Sequence, residues 1–214
     1  MFNFLKNKIE DSYLSNSLLF QSTTGDGRFE SAESEIIIVE HLKALFNDDK
    51  GIEVITVPPQ RKRHWYDILI KANGQVFPIN IKITSGNGSD NVSSKEGLFY
   101  ALTGLWPETT RGLARWESYN TLLTTNFNAS LNTDYYFVVY FKEDETFLFS
   151  SLKRINELVS NGNNLPFQCN WSKNCNFTNR TVEEQSYYLM DVYFQSWIKK
   201  LGGFEPLMKW KENN

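Results

Sequence analysis

Asp67, Asn80 and Lys82 are the residues whose types and spacing make chemistry possible in this chain. Asn80 and Lys82 sit two apart in Gln75–Thr84, where Phe77, Ile79, Ile81 and Ile83 alternate with other positions as in a strand. Residues i and i+2 of a strand share a face, so Asn80 and Lys82 project together, opposite the apolar four. Asn73-Gly74 is a tight hairpin signal, and a hairpin there returns Asp67 to the neighbouring strand. The pattern is Asp-x12-Asn-x-Lys on adjacent strands. A carboxylate, an amide oxygen and the backbone carbonyl of Ile81 are hard donors of the kind that Mg²⁺ accepts, with waters completing its shell. A lysine beside them can orient a water, stabilise developing charge, or act as a base if its pKa is depressed. A preceding helix offers further carboxylates. Glu33 lies near its start, and Glu35 shares the apolar side with Val39, Leu42 and Phe46, which makes Glu35 the preferred candidate. An ordinary solvated strand face carries the same letters. Strand placement, upstream carboxylates and flanking polar loops together distinguish this set from one.

The elements that must position these residues follow from periodicity and punctuation. Residues 1–24 begin with an amphipathic segment carrying Phe2, Phe4, Leu5 and Ile9. Helical spacing runs over Ser31–Phe46 and ends at the turn Asn47–Gly51. Strands are predicted at Ile52–Val57, Trp65–Lys71 and Gln75–Thr84, then a Gly/Asn/Ser loop over Ser85–Ser94 and a helix over Lys95–Leu105. Asp134–Lys142 is apolar on both faces and belongs at a sheet centre, pairing with Thr146–Phe149. Leu152–Val159 reads as a short helix, and Thr181 with Glu184 forms a capping box that opens a helix reaching Leu201. This order predicts an α/β fold with a mixed central β-sheet flanked by helices, in one domain over residues 1–214.

The stretch Tyr66-Asp67…Pro78-Ile79-Asn80-Ile81-Lys82-Ile83-Thr84 resembles the signature of the PD-(D/E)xK nuclease superfamily. The wider layout is similar to type II restriction endonucleases of the EcoRV-like branch, well over Ser31–Thr84 and elsewhere only in the order of elements. The resemblance implies a restriction-endonuclease-like core. It implies Mg²⁺, for which Mn²⁺ can substitute, held by Asp67, Asn80 and the Ile81 carbonyl, with Lys82 helping to generate the attacking water. It also implies a loop reaching the minor groove just before Asp67 and a later Gly/Asn-rich loop reading the major groove. Tyr66 stands where the family often has Pro, a loose position. Asn80 replaces an acid; its amide oxygen brings no charge, so metal affinity falls. Asn80 is either native to such a site or a change from Asp, and one sequence fits both.

Contacts to DNA would then come from Gln60 and from Arg61, Lys62, Arg63 and His64, the densest basic cluster, next to Asp67. Asn161, Asn163 and Asn164 suit base edges, although Gly/Asn turns use the same residues. Asn170, Lys173, Asn174 and Arg180 fill a further polar segment. The expected function is a type II site-specific deoxyribonuclease that hydrolyses double-stranded DNA at a short palindrome. Two sites related by a two-fold axis imply a homodimer, with the N-terminal segment or first helix as the expected contact. A structure-specific or repair nuclease of the same fold, and a non-catalytic DNA-binding protein, are the alternatives.

Composition narrows the classes. The net charge of −3 argues against sequence-independent coating of DNA, which needs a basic surface. No apolar run approaches the roughly 18–20 residues of a membrane span, and the N-terminus lacks a signal-peptide core. Two cysteines, Cys169 and Cys175, give neither a disulfide framework nor a zinc set, and a reducing cytoplasm is the expected compartment. No Gly-rich phosphate loop follows a strand, so no nucleotide cofactor is expected, and no Ser-His-Asp spacing supports covalent catalysis.

Overall fold

The computed structural model describes residues 1–14, 27–57, 64–86, 88–92 and 94–202, with 27–33 described by backbone alone. Asn73 and Gly74 have φ of 50° and 74°, the left-handed pair that a two-residue hairpin turn requires. They join β2 (Ile68–Ala72) to β3 (Gln75–Thr84), antiparallel, with Ile68 opposite Ile79. β1 (Ile52–Thr56) flanks β2, and on the other side β3 runs parallel to β5 (Tyr136–Phe141), which pairs antiparallel with β6 (Thr146–Ser151). The sheet order is β1-β2-β3-β5-β6. β5 lies inside the sheet, between β3 and β6 although not at its centre, and is buried on both faces from Phe137 onward, as its unbroken apolar run predicts.

The chain packs as two compact units. The first, residues 1–88 and 134–151, holds this sheet with α1 (Phe2–Glu10) and α2 (Gly27–Phe46). Leu5 and Ile9 of α1 and Ile38, Leu42 and Phe46 of α2 close over Ile68, Ile70, Phe77, Ile79, Ile81, Val138 and Phe149. Burying each such side chain contributes about 1.5–3 kcal/mol, so this core fixes β3 and α2.

The second unit, residues 89–133 and those from 152 on, carries α3 (Lys95–Thr103), α4 (Trp116–Asn126) and α5 (Val182–Gly202). A small sheet of β4 (Asp90–Asn91), β8 (Phe167–Cys169) and β7 (Val159–Ser160) completes it. Ser94 caps α3 by accepting from the Gly97 amide, and Gly104 ends it at φ 71°. The Thr181–Glu184 capping box forms: Glu184 accepts from the Thr181 amide at 2.8 Å, and its own amide donates to Thr181 Oγ1 at 3.2 Å.

The fold is therefore mixed α/β, with five helices among the described residues. Three local expectations are corrected. α2 begins at Gly27, before Ser31. Trp65–Asp67 lie outside β2: aromatic packing holds Trp65 and Tyr66, while Asp67 keeps a backbone hydrogen bond to the Ile79 carbonyl of β3. Leu152–Val159 is a short 3₁₀ turn over Leu152–Arg154, an irregular stretch and the first residue of β7, because Gln185 takes the carbonyls of Leu152 and Ile155 and Lys153 reaches out to the Leu131 carbonyl. Among the described residues no helix is long and apolar enough to cross a membrane.

Candidate active site

β2 stops one residue short of Asp67 while β3 runs on, so β3 presents an open edge there. Continuing the register by one step from Ile68 opposite Ile79 sets Asp67 across from Asn80. Two hydrogen bonds bracket that position. The Asp67 amide donates to the Ile79 carbonyl at 2.9 Å, and the Ile81 amide donates to Asp67 Oδ2 at 2.6 Å. The carboxylate thus takes the place of a missing strand. In an extended strand the N–H and C=O of one residue leave on the same edge, so the Ile81 carbonyl also emerges beside Asp67.

The segment before Asp67 is clamped from a distance in sequence. Tyr135 donates its hydroxyl to the Trp65 carbonyl and stacks on Trp65 at 5.7 Å. His64 meets Tyr66 edge-on at 4.2 Å. Sequence reasoning missed Tyr135, because nothing local connects it to a site about seventy residues earlier.

α2 brings Glu35 to Asp67. Glu35 sits half-buried, next to the buried Ser34 and one turn before Ile38, and the two carboxyls are hydrogen-bonded to each other. Burial pushes Glu35 up to about 7, with the charge of Asp67 and the shared hydrogen bond adding to it and Lys82 opposing it. Asp67 is also raised, first by burial, against the Ile81 amide, Lys82, Glu35 and His64, which all favour its ionised form. The pair therefore shares a proton that leaves as pH rises through about 7. Asn80 and Lys82 are both half-buried on β3, and Lys82 is close enough to act on both carboxyls. The Asn80 Oδ1 is enclosed, and no donor among the described residues reaches it. A buried amide oxygen without a donor costs about 1–3 kcal/mol, and a cation is the partner that would remove this cost.

The donors fit Mg²⁺: Asp67, the Asn80 amide oxygen and the Ile81 carbonyl at the open edge of β3, and Glu35 reaching it from α2, are all hard oxygens. Among the described residues no three His, Cys, Asp or Glu side chains converge, so the set is two carboxyls completed by an amide and a carbonyl. A cation here would displace the proton that the carboxyls share. Lys82 would remain to hold and polarise a water. The Glu33 side chain lies outside the described residues, as do Gln60, Arg61, Lys62 and Arg63. His64 is described, and it favours the ionised form of Asp67.

The remaining candidates belong to the second unit, where most of their polar groups serve the fold. Asn161 Oδ1 accepts from the amides of Asn163 and Asn164 at 2.9 and 3.2 Å, an Asx turn. The Asn161 amide donates to Ser196 on α5, and a Cβ at Gly162 would sit 2.7 Å from the Lys200 nitrogen, so only glycine lets the loop lie this close to the helix. Asn163 and Asn164 are exposed. Asn170 Oδ1 caps the turn Trp171–Asn174 through the Lys173 amide, and the Lys173 side chain is exposed. Asn174 is fully buried, and both ends of its amide are used. It accepts from the amides of Asn156 and Glu157 and donates to the carbonyls of Glu157 and Asn170, so it presents nothing to a ligand. Arg180 donates to the Asn156 carbonyl, Thr178 and Gln185 and lies 3.9 Å from the Tyr188 ring centre.

No family model matches the chain, and no curated protein is significantly similar to it.

Proposed function

We propose that this protein is a Mg²⁺-dependent endonuclease that hydrolyses phosphodiester bonds of double-stranded DNA at a short palindromic sequence, as a homodimer with Mn²⁺ able to replace Mg²⁺. The observation that carries the proposal is the meeting of Glu35, Asp67 and Lys82 beside a buried Asn80 oxygen that no donor among the described residues reaches. When bound, the metal would supply charge stabilisation on the phosphate and acidify a water. Asp67, Glu35, Asn80 and the Ile81 carbonyl would hold it, and Lys82 would orient the water and offset charge on the pentavalent phosphate. His64 and the basic residues just before it would hold the DNA backbone, and the exposed Asn163 and Asn164 would reach base edges.

The test is digestion of a large defined DNA in Mg²⁺ and in Mn²⁺, with a chelator control. Sharp, chelator-sensitive fragments support the proposal. Cutting of junctions but not of linear duplex would point to a structure-specific nuclease instead. A second reading, a DNA-binding protein without catalysis, is favoured by Asn80 standing where an acid would complete the charge. DNA binding without cleavage in either metal would support that reading.

A further inference from the structure

We propose that the exposed face of α5 is the docking surface for a second copy of this chain, the two α5 helices packing antiparallel across a two-fold axis. This deepens the homodimer of the proposed function and rests on that reading only for its purpose, not for its geometry.

Tyr187, Met190, Phe194, Trp197 and Leu201 recur at steps of three and four, the spacing of a helix–helix seam. Tyr187, Phe194, Ile198 and Leu201 are 57%, 60%, 48% and 56% exposed, a run of large apolar groups along one helix. Beside them, Leu123 of α4 and Met190, Tyr193, Phe194, Trp197 and Leu201 line a groove of about 400 Å³. Such a ridge beside a groove is self-complementary, as a two-fold interface must be.

Charge selects both the occupant and its direction. Glu183, Glu184 and Asp191 lie in the first half of α5, and Lys199 and Lys200 in the second, with no opposite charge in either half. An antiparallel copy lays the acidic half along the basic half, whereas a parallel copy would set like charges together. Antiparallel helix dipoles act in the same sense. By contrast, in the N-terminal segment, one of the two contacts expected from sequence, Leu5 and Ile9 of α1 are fully buried within their own unit.

The experiment is analytical ultracentrifugation of the full chain over a concentration series, for wild type, Phe194→Glu/Ile198→Glu and Lys199→Glu/Lys200→Glu, with circular dichroism to verify folding and the DNA digestion run in parallel. Wild type is expected to dimerise, the first variant to weaken the dimer roughly 100-fold and the charge variant about tenfold. A monomeric wild type, or a first variant that folds and still dimerises with wild-type affinity, overturns the interface. A charge variant of undiminished affinity overturns the antiparallel arrangement. If wild type cleaves DNA while these results fail, the interface falls and the nuclease reading stands. If the dimer behaves as expected and nothing is cleaved, the reverse holds.

Discussion

Two regions of this molecule concentrate polar side chains, and they use them in opposite ways. At the open edge of β3, the polar groups are poorly matched to their surroundings. Glu35 and Asp67 are held close enough to share a proton, and the Asn80 oxygen is enclosed without a donor among the described residues. In the Asn161–Asn174 region, the amides satisfy backbone groups, and Asn174 alone serves four of them. A fold tolerates the first arrangement at a cost in stability and gains stability from the second. The lesson is that residue type does not separate the asparagine of the candidate site from a structural one; hydrogen-bond bookkeeping does.

The comparison breaks most sharply at Lys82. Lys82→Ala is expected to lower turnover on the order of 10²–10⁴-fold while DNA binding in Ca²⁺ stays near wild type, read by single-turnover kinetics and gel shift. Wild-type turnover would remove Lys82 from the site. Asn174→Ala strands buried backbone groups and is expected to lose about 3 kcal/mol of stability, measured by denaturant unfolding. A loss under about 0.5 kcal/mol would show that the internal asparagine is not structural. At Asn80 the expectation is inverted. Asn80→Asp adds a third carboxylate, so metal-free protein melts lower and Mg²⁺ binds about tenfold tighter, by calorimetry and thermal melts. Unchanged affinity would place Asn80 outside the cation shell.

Acidity sharpens the contrast further. Glu35 titrates near 7 in the folded protein against 4.5 ordinarily. The folded state therefore binds this proton more tightly than the unfolded state does. Its contribution to stability is full below about pH 4.5 and is lost as pH rises through about 7. Metal-free wild type should lose stability across that interval, and Glu35→Gln should flatten the slope. An identical slope in the variant would refute the shared proton. The smallest expected effect is at the loop surface. Asn163→Ala and Asn164→Ala should leave stability within about 0.5 kcal/mol, yet each should weaken specific DNA binding by about 1–3 kcal/mol if it reads a base. A stability loss comparable to that of Asn174→Ala would place them with the internal asparagine.

What was legible in sequence was local. Asn73-Gly74, the alternation of β3 and the Thr181–Glu184 box each signal through neighbouring residues, and each formed. The turn and the alternation were enough to set Asp67 beside Asn80 and Lys82, and the helical spacing of Val39, Leu42 and Phe46 to prefer Glu35, which the structure brings to Asp67. What was not legible depends on distant partners. α4 buries only Tyr119 and Leu123 and carries four Thr or Ser side chains, so its helical period is faint. Strands as short as Asp90–Asn91 and Val159–Ser160 exist only through pairing with Phe167–Cys169. The clamp of Tyr135 on Trp65 and the enclosure of Asn174 are likewise products of folding, invisible in a window of neighbours.

The central claim is that Asp67, Glu35 and Asn80 form a cation site, and Mg²⁺ titration of the full chain by calorimetry in two buffers of different ionisation enthalpy tests it most directly. The account predicts one binding event near neutral pH accompanied by release of a proton from the Glu35–Asp67 pair, abolished by Asp67→Asn. Absence of binding at millimolar Mg²⁺, or binding that survives Asp67→Asn unchanged, would contradict it.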